Sequence, residues 1–189
     1  MRLDRTDGSN DGADNRPQRD KVSAPGWLFE PARREDLPAL IALLADDPLG
    51  AGREKPGDPP DPAYVAAFEA IAADPNQQLV VVRPSPGEPA CGCLQLSFLP
   101  GLSRAGAWRG QIESVRIGRD WRNRGMGRAM FDWAIRRCRE RGCSLVQLTT
   151  DRSRDEARRF YEDLGFVASH LGMKRDLAEG AVTGQAADR

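Results

Sequence analysis

The sequence predicts an α/β fold of the α+β type, formed by one domain of the 189-residue chain. Two observations predict it. Short segments rich in β-branched and aromatic residues alternate with longer segments of helical periodicity, in the order β-α-α-β-β-β-α-β-α-β-β. In addition, a glycine-containing turn at residues 122–128 joins one strand-like segment to a strongly amphipathic helix.

The first elements are a strand, a helix and a long loop. Residues 27–30 carry Trp, Leu and Phe, which favour a strand. A helix is predicted over residues 34–45, because acidic residues and Pro38 suit a first helical turn. Residues 46–62 are dense in Pro, Gly and Asp and predict an irregular loop. Its acidic residues are interpreted as those of an ordinary solvated loop.

The middle of the chain predicts a helix and three strands. The helix covers residues 63–73. Residues 78–83 and 90–98 are predicted to form an antiparallel pair, joined by the turn Pro84-Ser85-Pro86-Gly87. A further strand over residues 111–117 leads directly into the glycine-containing turn.

The turn at residues 122–128 is suited to gripping a phosphate group. Gly125 and Gly127 have no Cβ, so the backbone can approach a ligand closely. A helix begins just beyond them, so its unpaired N–H groups and the positive end of its dipole point into the turn. Three arginines of the same run add forked donors for phosphate oxygens. We call residues 122–128 the anion cradle.

The last elements follow from helical periodicity and from glycines that end helices. The helix after the cradle has an apolar stripe and ends near Gly142, and it is followed by a strand over residues 144–150. A second amphipathic helix ends at Gly165, and residues 166–177 are predicted to form two final strands. The stripe residues of the two helices are Met126, Met130, Trp133, Ala134 and Cys138, and then Ala157, Phe160, Tyr161 and Leu164.

Composition sets the domain boundaries and the compartment. Residues 1–26 hold few large apolar side chains and are interpreted as a disordered leader, residues 27–177 as the domain, and residues 178–189 as a flexible tail. The leader lacks the apolar core of a secretion signal, and no segment is long enough to span a bilayer. We therefore expect a cytoplasmic protein with no membrane partner.

Charge and cysteine patterns argue against two further classes of function. The formal net charge is zero and acidic residues are interleaved with the arginines, which argues against nucleic-acid binding. The spacing of Cys91, Cys93, Cys138 and Cys143 does not match common zinc motifs. We expect buried free thiols and no metal site.

Two motifs resemble the GCN5-related N-acetyltransferase (GNAT) superfamily. They are Arg122-x-x-Gly125-x-Gly127 and the run from Ala157 to Phe166, Ala-Arg-Arg-Phe-Tyr-Glu-Asp-Leu-Gly-Phe. The resemblance implies a mixed, twisted sheet of six to seven strands with helices on both faces and a bulged, splayed central strand pair. It also implies acetyl-CoA as co-substrate. One departure is Arg154, which stands where the family often has Asn, so the contact made by that Asn is not carried over.

The same resemblance implies which residues bind the cofactor. They are Val115, Arg116, Ile117, Arg122, Asn123, Arg124, Gly125, Met126, Gly127 and Arg128. The residues themselves suggest a β-bulge near Ser114. The apolar residues of this strand change from an even-numbered position, Ile112, to odd-numbered positions, Val115 and Ile117, and one inserted residue would account for the change. A bulge would free backbone groups for the pantetheine arm and would place the Val115 amide near the thioester oxygen. Alternatively, a sheet covered on both faces needs no alternation.

Tyr161 and Glu113 are the candidate catalytic residues. A phenol of pKa about 10 is matched to a departing thiolate, and the family commonly has a tyrosine at the position of Tyr161. Glu113 is the candidate base, acting through water. Alternatively, Tyr161 packs in the core and Glu113 is an ordinary solvent-facing carboxylate. His170, the only histidine, is a second candidate base.

The resulting prediction is an acetyl-CoA-dependent N-acetyltransferase that acts by direct attack in a ternary complex. The acceptor is a primary amine of a small molecule or of a protein or peptide. A catalytically silent acyl-CoA-binding sensor, or an interaction module of the same fold, is the alternative. The sequence does not fix the oligomeric state, and a homodimer is allowed.

Overall fold

The computed structural model describes residues 22–24, 26–47, 50–175 and 177. Most of the predicted leader and the predicted tail lie outside the described residues. In the described part of the chain, no helix combines the length and the apolar character needed to cross a bilayer. The elements are β1 (Val22–Ala24), β2 (Trp27–Pro31), a 3-10 turn (Arg34–Asp36), α1 (Leu37–Ala45), α2 (Pro62–Ala73), β3 (Gln77–Arg83), β4 (Gly92–Pro100), α3 (Ser103–Gly106), β5 (Trp108–Ile117), a 3-10 turn (Arg119–Trp121), α4 (Met126–Glu140), β6 (Cys143–Leu148) and α5 (Asp155–Asp163).

The six described strands form one mixed sheet, which confirms the predicted α/β class. Neighbours in the sheet follow chain order from β1 to β6. The first four pairings are antiparallel, and β5 pairs with β6 in parallel. The parallel pair needs a crossover, and α4 supplies it. The carboxyl end of β5 and the start of α4 therefore lie together, at one end of the strands.

Helices cover both faces of this sheet. The main core forms where the apolar stripe of α4 packs on one face, with Met130 and Ala134 at 0% exposure against Leu96 of β4 and Ile112 of β5. This stripe is the one predicted from the spacing of the apolar residues. A smaller cluster forms on the other face, where Leu40 of α1 belongs to the same buried group as the strand residues of β3 and β4.

The central strand β5 contains a β-bulge, as predicted. Arg116 is paired with Cys93 of β4, whereas Glu113 is paired with Gln95, so two residues of β5 face a single residue of β4. Ser114 at the bulge has a φ of 53°, in the left-handed region. The bulge reverses the side-chain parity of the strand, which explains the switch seen in the sequence.

β5 and β6 also separate, because their parallel ladder stops at the pair Ile112 and Leu148. β5 continues for five residues to Ile117, and among the described strands only β4 pairs with these residues. Residues 113–117 of β5 therefore present an edge that β6 does not cover. We call this stretch the open edge of β5. It is the splayed central pair that the family resemblance implied.

Two predictions of secondary structure are wrong. The leader was expected to run to residue 26, but Val22–Ala24 forms β1 and pairs with β2 in a hairpin. Residues 166–177 were expected to form two strands, but none of the described residues of that segment is in a strand. Residues 167–175 are exposed and include Leu171 at 79% and Met173 at 95%. No described strand pairs with them, and a strand requires a hydrogen-bonded neighbour.

Candidate active site

The anion cradle is an open turn at the start of α4. Gly125 is the N-cap residue and has φ 80° and ψ −3°, and Asn123 has a φ of 60°. Residues 122–125 are exposed. None of the backbone N–H groups from residue 123 to residue 128 donates a hydrogen bond to another residue in the described part of the chain. A row of unpaired donors at the positive end of a helix favours an anion such as a diphosphate.

The second of the two family-like motifs, residues 157–166, packs against the start of α4. A Cβ built on Gly127 would lie 3.3 Å from Cζ of Phe160 and 3.5 Å from Cδ1 of Ile117. Gly127 thus lets α4 approach both α5 and the end of β5 closely. The two motifs, which are far apart in the sequence, meet beside the open edge of β5.

The three arginines of the cradle have different surroundings. Arg122 donates from Nε to the carbonyl of Ile117 at 3.1 Å, and from Nη2 to Asp46 Oδ2 at 2.8 Å and to the Asp46 carbonyl at 2.9 Å. These bonds tie the turn to the end of β5 and to the end of α1. Arg124 lies over the Trp121 ring, with Cζ 5.2 Å from the ring centroid. Arg128 is exposed. Direct phosphate contacts by these side chains stay a prediction.

The open edge of β5 offers backbone groups beside the cradle. The carbonyl of Arg116 lies 3.0 Å from a Cβ built on Gly92 of β4, so Arg116 directs its backbone toward β4. Backbone direction alternates along a strand, so Val115 and Ile117 direct their polar groups toward the uncovered edge. The Val115 carbonyl already accepts a bond of 2.9 Å from Arg116 Nη1. An extended ligand chain can pair with the remaining groups.

Tyr161 lies on α5, with its ring packed in an aromatic cluster. Its ring centroid is 5.3 Å from that of Phe131 and 5.7 Å from that of Phe160. The Tyr161 hydroxyl has no hydrogen-bond partner among the described residues. Burial raises the pKa of Tyr161, while the Arg154 and Arg116 guanidinium groups act to lower it. The phenol is therefore held protonated at neutral pH, with two positive charges near it.

Glu113 and His170 occupy different environments. Glu113 is exposed on β5, opposite Gln95, and its carboxylate makes no hydrogen bond or ion pair with a described residue. It follows Ile112, which points into the core, so Glu113 faces the side of the sheet that α1 covers. His170 lies in the exposed segment after α5, with Nδ1 2.8 Å from the Ser169 hydroxyl. The roles of both residues stay predictions.

The structure adds a charged cluster that the sequence interpretation missed. Asp47 is buried, at 6% exposure, and its Oδ2 lies 3.2 Å from Arg116 Nη2 and 2.7 Å from Arg154 Nη2. The sequence predicts an ordinary solvated loop over residues 46–62, and this prediction is wrong for Asp47. The signal in the sequence was Arg154 itself, a charged side chain where the related family often has an amide.

The cysteines behave as buried thiols. Cys91, Cys93 and Cys138 are buried, and Cys143 is half-buried. Burial raises the pKa of Cys91 to about 11 and the pKa of Cys93 to about 12. Such thiols are protonated and unreactive at neutral pH. In the described residues there is no group of three or more His, Cys, Asp or Glu side chains that could hold a metal ion.

Comparison with known proteins agrees with this geometry. The sequence profile of the Acetyltransferase (GNAT) family matches residues 24–166. The chain is similar to a crystal structure of a transcriptional regulator from Bacillus halodurans C-125, with 45% identity, a TM-score of 0.75, and coverage of 78% of this chain and 97% of that chain.

Two curated enzymes are also similar. An aminoalkylphosphonate N-acetyltransferase of Salmonella typhimurium is 30% identical over 115 residues, which are 61% of this chain and 73% of that enzyme. A glucosamine 6-phosphate N-acetyltransferase of Trypanosoma brucei brucei is 34% identical over 86 residues, which are 46% of this chain and 56% of that enzyme. The open cradle, the splayed strand pair and these matches lead to one conclusion: the chain belongs to the acetyltransferase (GNAT) family.

Proposed function

We propose that this N-acetyltransferase moves an acetyl group from acetyl-CoA directly to a primary amine of a small molecule, in a ternary complex. One observation carries the proposal: the row of unpartnered N–H groups at residues 123–128 lies beside the open edge of β5. The diphosphate of the cofactor binds the cradle. The pantetheine arm then extends along the open edge, where the Val115 amide lies near the thioester oxygen.

The chemistry requires a neutral amine and a proton for the leaving thiolate. The amine nitrogen attacks the thioester carbon, the N–C bond forms, and the oxyanion intermediate collapses with loss of the C–S bond. A proton passes from the amine through water to Glu113, which is exposed and free to accept it. Tyr161 donates a proton to the sulfur, and the products are an acetamide and the CoA thiol.

A small-molecule acceptor is supported by the two curated relatives. Their names specify an aminoalkylphosphonate and glucosamine 6-phosphate, both of which are small amines. Cytoplasmic location, a homodimer, and the absence of membrane and nucleic-acid partners stay predictions. The chemistry proposed for Tyr161 and Glu113 requires no metal.

A second candidate function is that of a regulatory module that binds acyl-CoA but does not catalyse acetyl transfer. One observation favours it: the crystal structure that is 45% identical is described as a transcriptional regulator. Two side chains favour the enzyme instead. A module that only binds has no need of an unpartnered phenol at Tyr161 or of a free carboxylate at Glu113.

Thiol release separates these candidates. The protein is first titrated with acetyl-CoA and CoA by isothermal calorimetry and then assayed for CoA release with a panel of small amines and peptides. The enzyme is expected to give intersecting initial-rate lines when both substrates are varied, because both must be bound at once. Tight cofactor binding with no release on any amine would favour the regulatory module.

Glu113→Gln tests the base. The variant is expected to lower kcat/KM by about 100-fold or more across the pH profile, because the glutamine cannot accept the proton. Asp132→Asn, a carboxylate change on the exposed face of α4, is the matched control. A Glu113→Gln profile that overlays the wild-type profile would remove Glu113 from the mechanism.

A further inference from the structure

Two arginines beside the reaction site share a single carboxylate. Arg116 Nη2 and Arg154 Nη2 both contact Asp47 Oδ2, at 3.2 Å and 2.7 Å. The Arg116 side chain is 18% exposed, the Arg154 side chain 37%, and that of Asp47 5%. Two guanidinium groups therefore share one carboxylate, and a second negative group beside them would be stabilised by the remaining positive charge.

One donor of this cluster is unused. The Nε atom of Arg116 is buried and has no hydrogen-bond partner among the described residues. Its Nη1 donates to the Val115 carbonyl, and its Nη2 forms an ion pair with Asp47 Oδ2. A buried donor without a partner costs free energy. Arg154 remains partly exposed, so a ligand can reach its guanidinium group.

The cluster lies on the side of β5 that carries Glu113. Ile112, Val115 and Ile117 pack with the core beneath α4. Side chains alternate between faces, and the bulge inserts one residue, so Glu113 and Arg116 emerge on the opposite face together. Along the strand they are separated by roughly 7–10 Å. The positive charges of Arg154 and Arg116 also act to lower the pKa of the Tyr161 phenol.

We propose that the acceptor amine carries an oxyanion group, such as a phosphonate, phosphate or carboxylate, which binds Arg154 and Arg116. Asp47 is the positioning residue that holds both guanidinium groups. The separation from Glu113 suits a short amine whose nitrogen lies near the thioester while its anion reaches the arginines. This inference rests on the proposed transferase function and names the substrate class of that same site.

Matched acceptors test the charge requirement. Acetyl transfer to 2-aminoethylphosphonate is compared with transfer to its diethyl ester, which keeps the amine and removes the negative charge, and β-alanine is compared with its ethyl ester. Wild-type protein is expected to prefer each anionic amine by at least about 10-fold in kcat/KM, the effect of a hydrogen bond to a charged group. Equal rates for acid and ester, or a preference for the ester, would overturn the proposal.

Arg154→Gln tests the residue. The variant is expected to lose about 10- to 100-fold in kcat/KM for the anionic amine, chiefly through KM, so that the acid-to-ester preference collapses. Arg154→Lys should restore part of it. Arg158→Gln is the control, because Arg158 lies exposed on α5, one turn after the N-cap residue Arg154, and pairs with Glu162 at 3.8 Å. An equal loss for acid and ester, or a matching loss of acetyl-CoA affinity, would overturn the assignment.

Direct binding keeps the two proposals distinguishable. 2-Aminoethylphosphonate and its diethyl ester are titrated into protein saturated with CoA, so no turnover is needed. Tighter binding of the anionic amine that is lost in Arg154→Gln supports the anion site even if no acetyl transfer is seen, in which case the transferase proposal alone fails. Equal affinity for both compounds would refute the proposed anion site even if the protein is an active transferase.

Discussion

Gly125→Ala tests whether the cradle turn binds the cofactor. Gly125 has φ 80° and ψ −3°, and a Cβ built on it would meet no atom of the described residues beyond its chain neighbours within 4 Å. The substitution therefore creates no clash, and its cost is that of a left-handed backbone at a residue with a Cβ, about 1–2 kcal/mol. For a chain of this size that corresponds to a fall in Tm of roughly 2–8 °C.

Gly87→Ala provides a control at another glycine with a positive φ. Gly87 lies in the turn between β3 and β4 and has a φ of 83°, and a Cβ built on it would likewise meet no atom of the described part of the chain within 4 Å, its chain neighbours aside. Both variants should lose similar stability, as measured by thermal unfolding. Only Gly125→Ala should lose affinity for acetyl-CoA, by about 10-fold or roughly 1.4 kcal/mol, because relaxation of its turn misaligns the N–H groups of residues 123–128.

Isothermal calorimetry with acetyl-CoA measures the difference. Wild-type affinity in Gly125→Ala, alongside the expected loss of stability, would refute the assignment of the cofactor to this turn. An equal loss of affinity in Gly87→Ala would show that the loss comes from general destabilisation instead.

Three further predictions concern the acid, the thiols and the core. Tyr161→Phe should lower kcat by about 100- to 10,000-fold with little change in acetyl-CoA affinity. Because burial raises the pKa of Tyr161, the wild-type rate should fall only above about pH 10, as the phenol loses its proton; a fall near neutral pH would contradict this. Ellman's reagent should label native protein first at half-buried Cys143, with the three buried cysteines reacting only on unfolding; rapid reaction of all four would contradict the burial. Met130→Ala, at a fully buried position, should cost about 2–5 kcal/mol in urea unfolding, while Leu102→Ala, at 99% exposure, should change stability by less than about 0.5 kcal/mol.

Features set by short stretches of sequence were predictable. The cradle and the helix after it depend on Gly125, on the arginines around it, and on the apolar spacing from Met126 to Cys138, all within one run of the chain. The bulge was visible as a parity switch between Ile112 and Val115, because side-chain alternation is a local property of a strand.

Features set by distant contacts were not predictable. Asp47 looks like any loop carboxylate until the fold brings Arg116 and Arg154 to it. Val167, Leu171 and Met173 occupy alternate apolar positions typical of a strand, yet they are exposed because no described strand pairs with them. Conversely, β1 forms in a polar stretch because β2 offers it a hairpin partner. Pairing depends on the neighbour, which a single segment does not reveal.

The most direct test of the central claim is a 1H–15N NMR titration of the protein with CoA. We expect the largest shifts at the backbone amides of residues 123–128, with further shifts at Val115 and Ile117 along the open edge of β5. Binding of CoA that leaves these amides unmoved and shifts another region would contradict the assignment of the cofactor to the cradle.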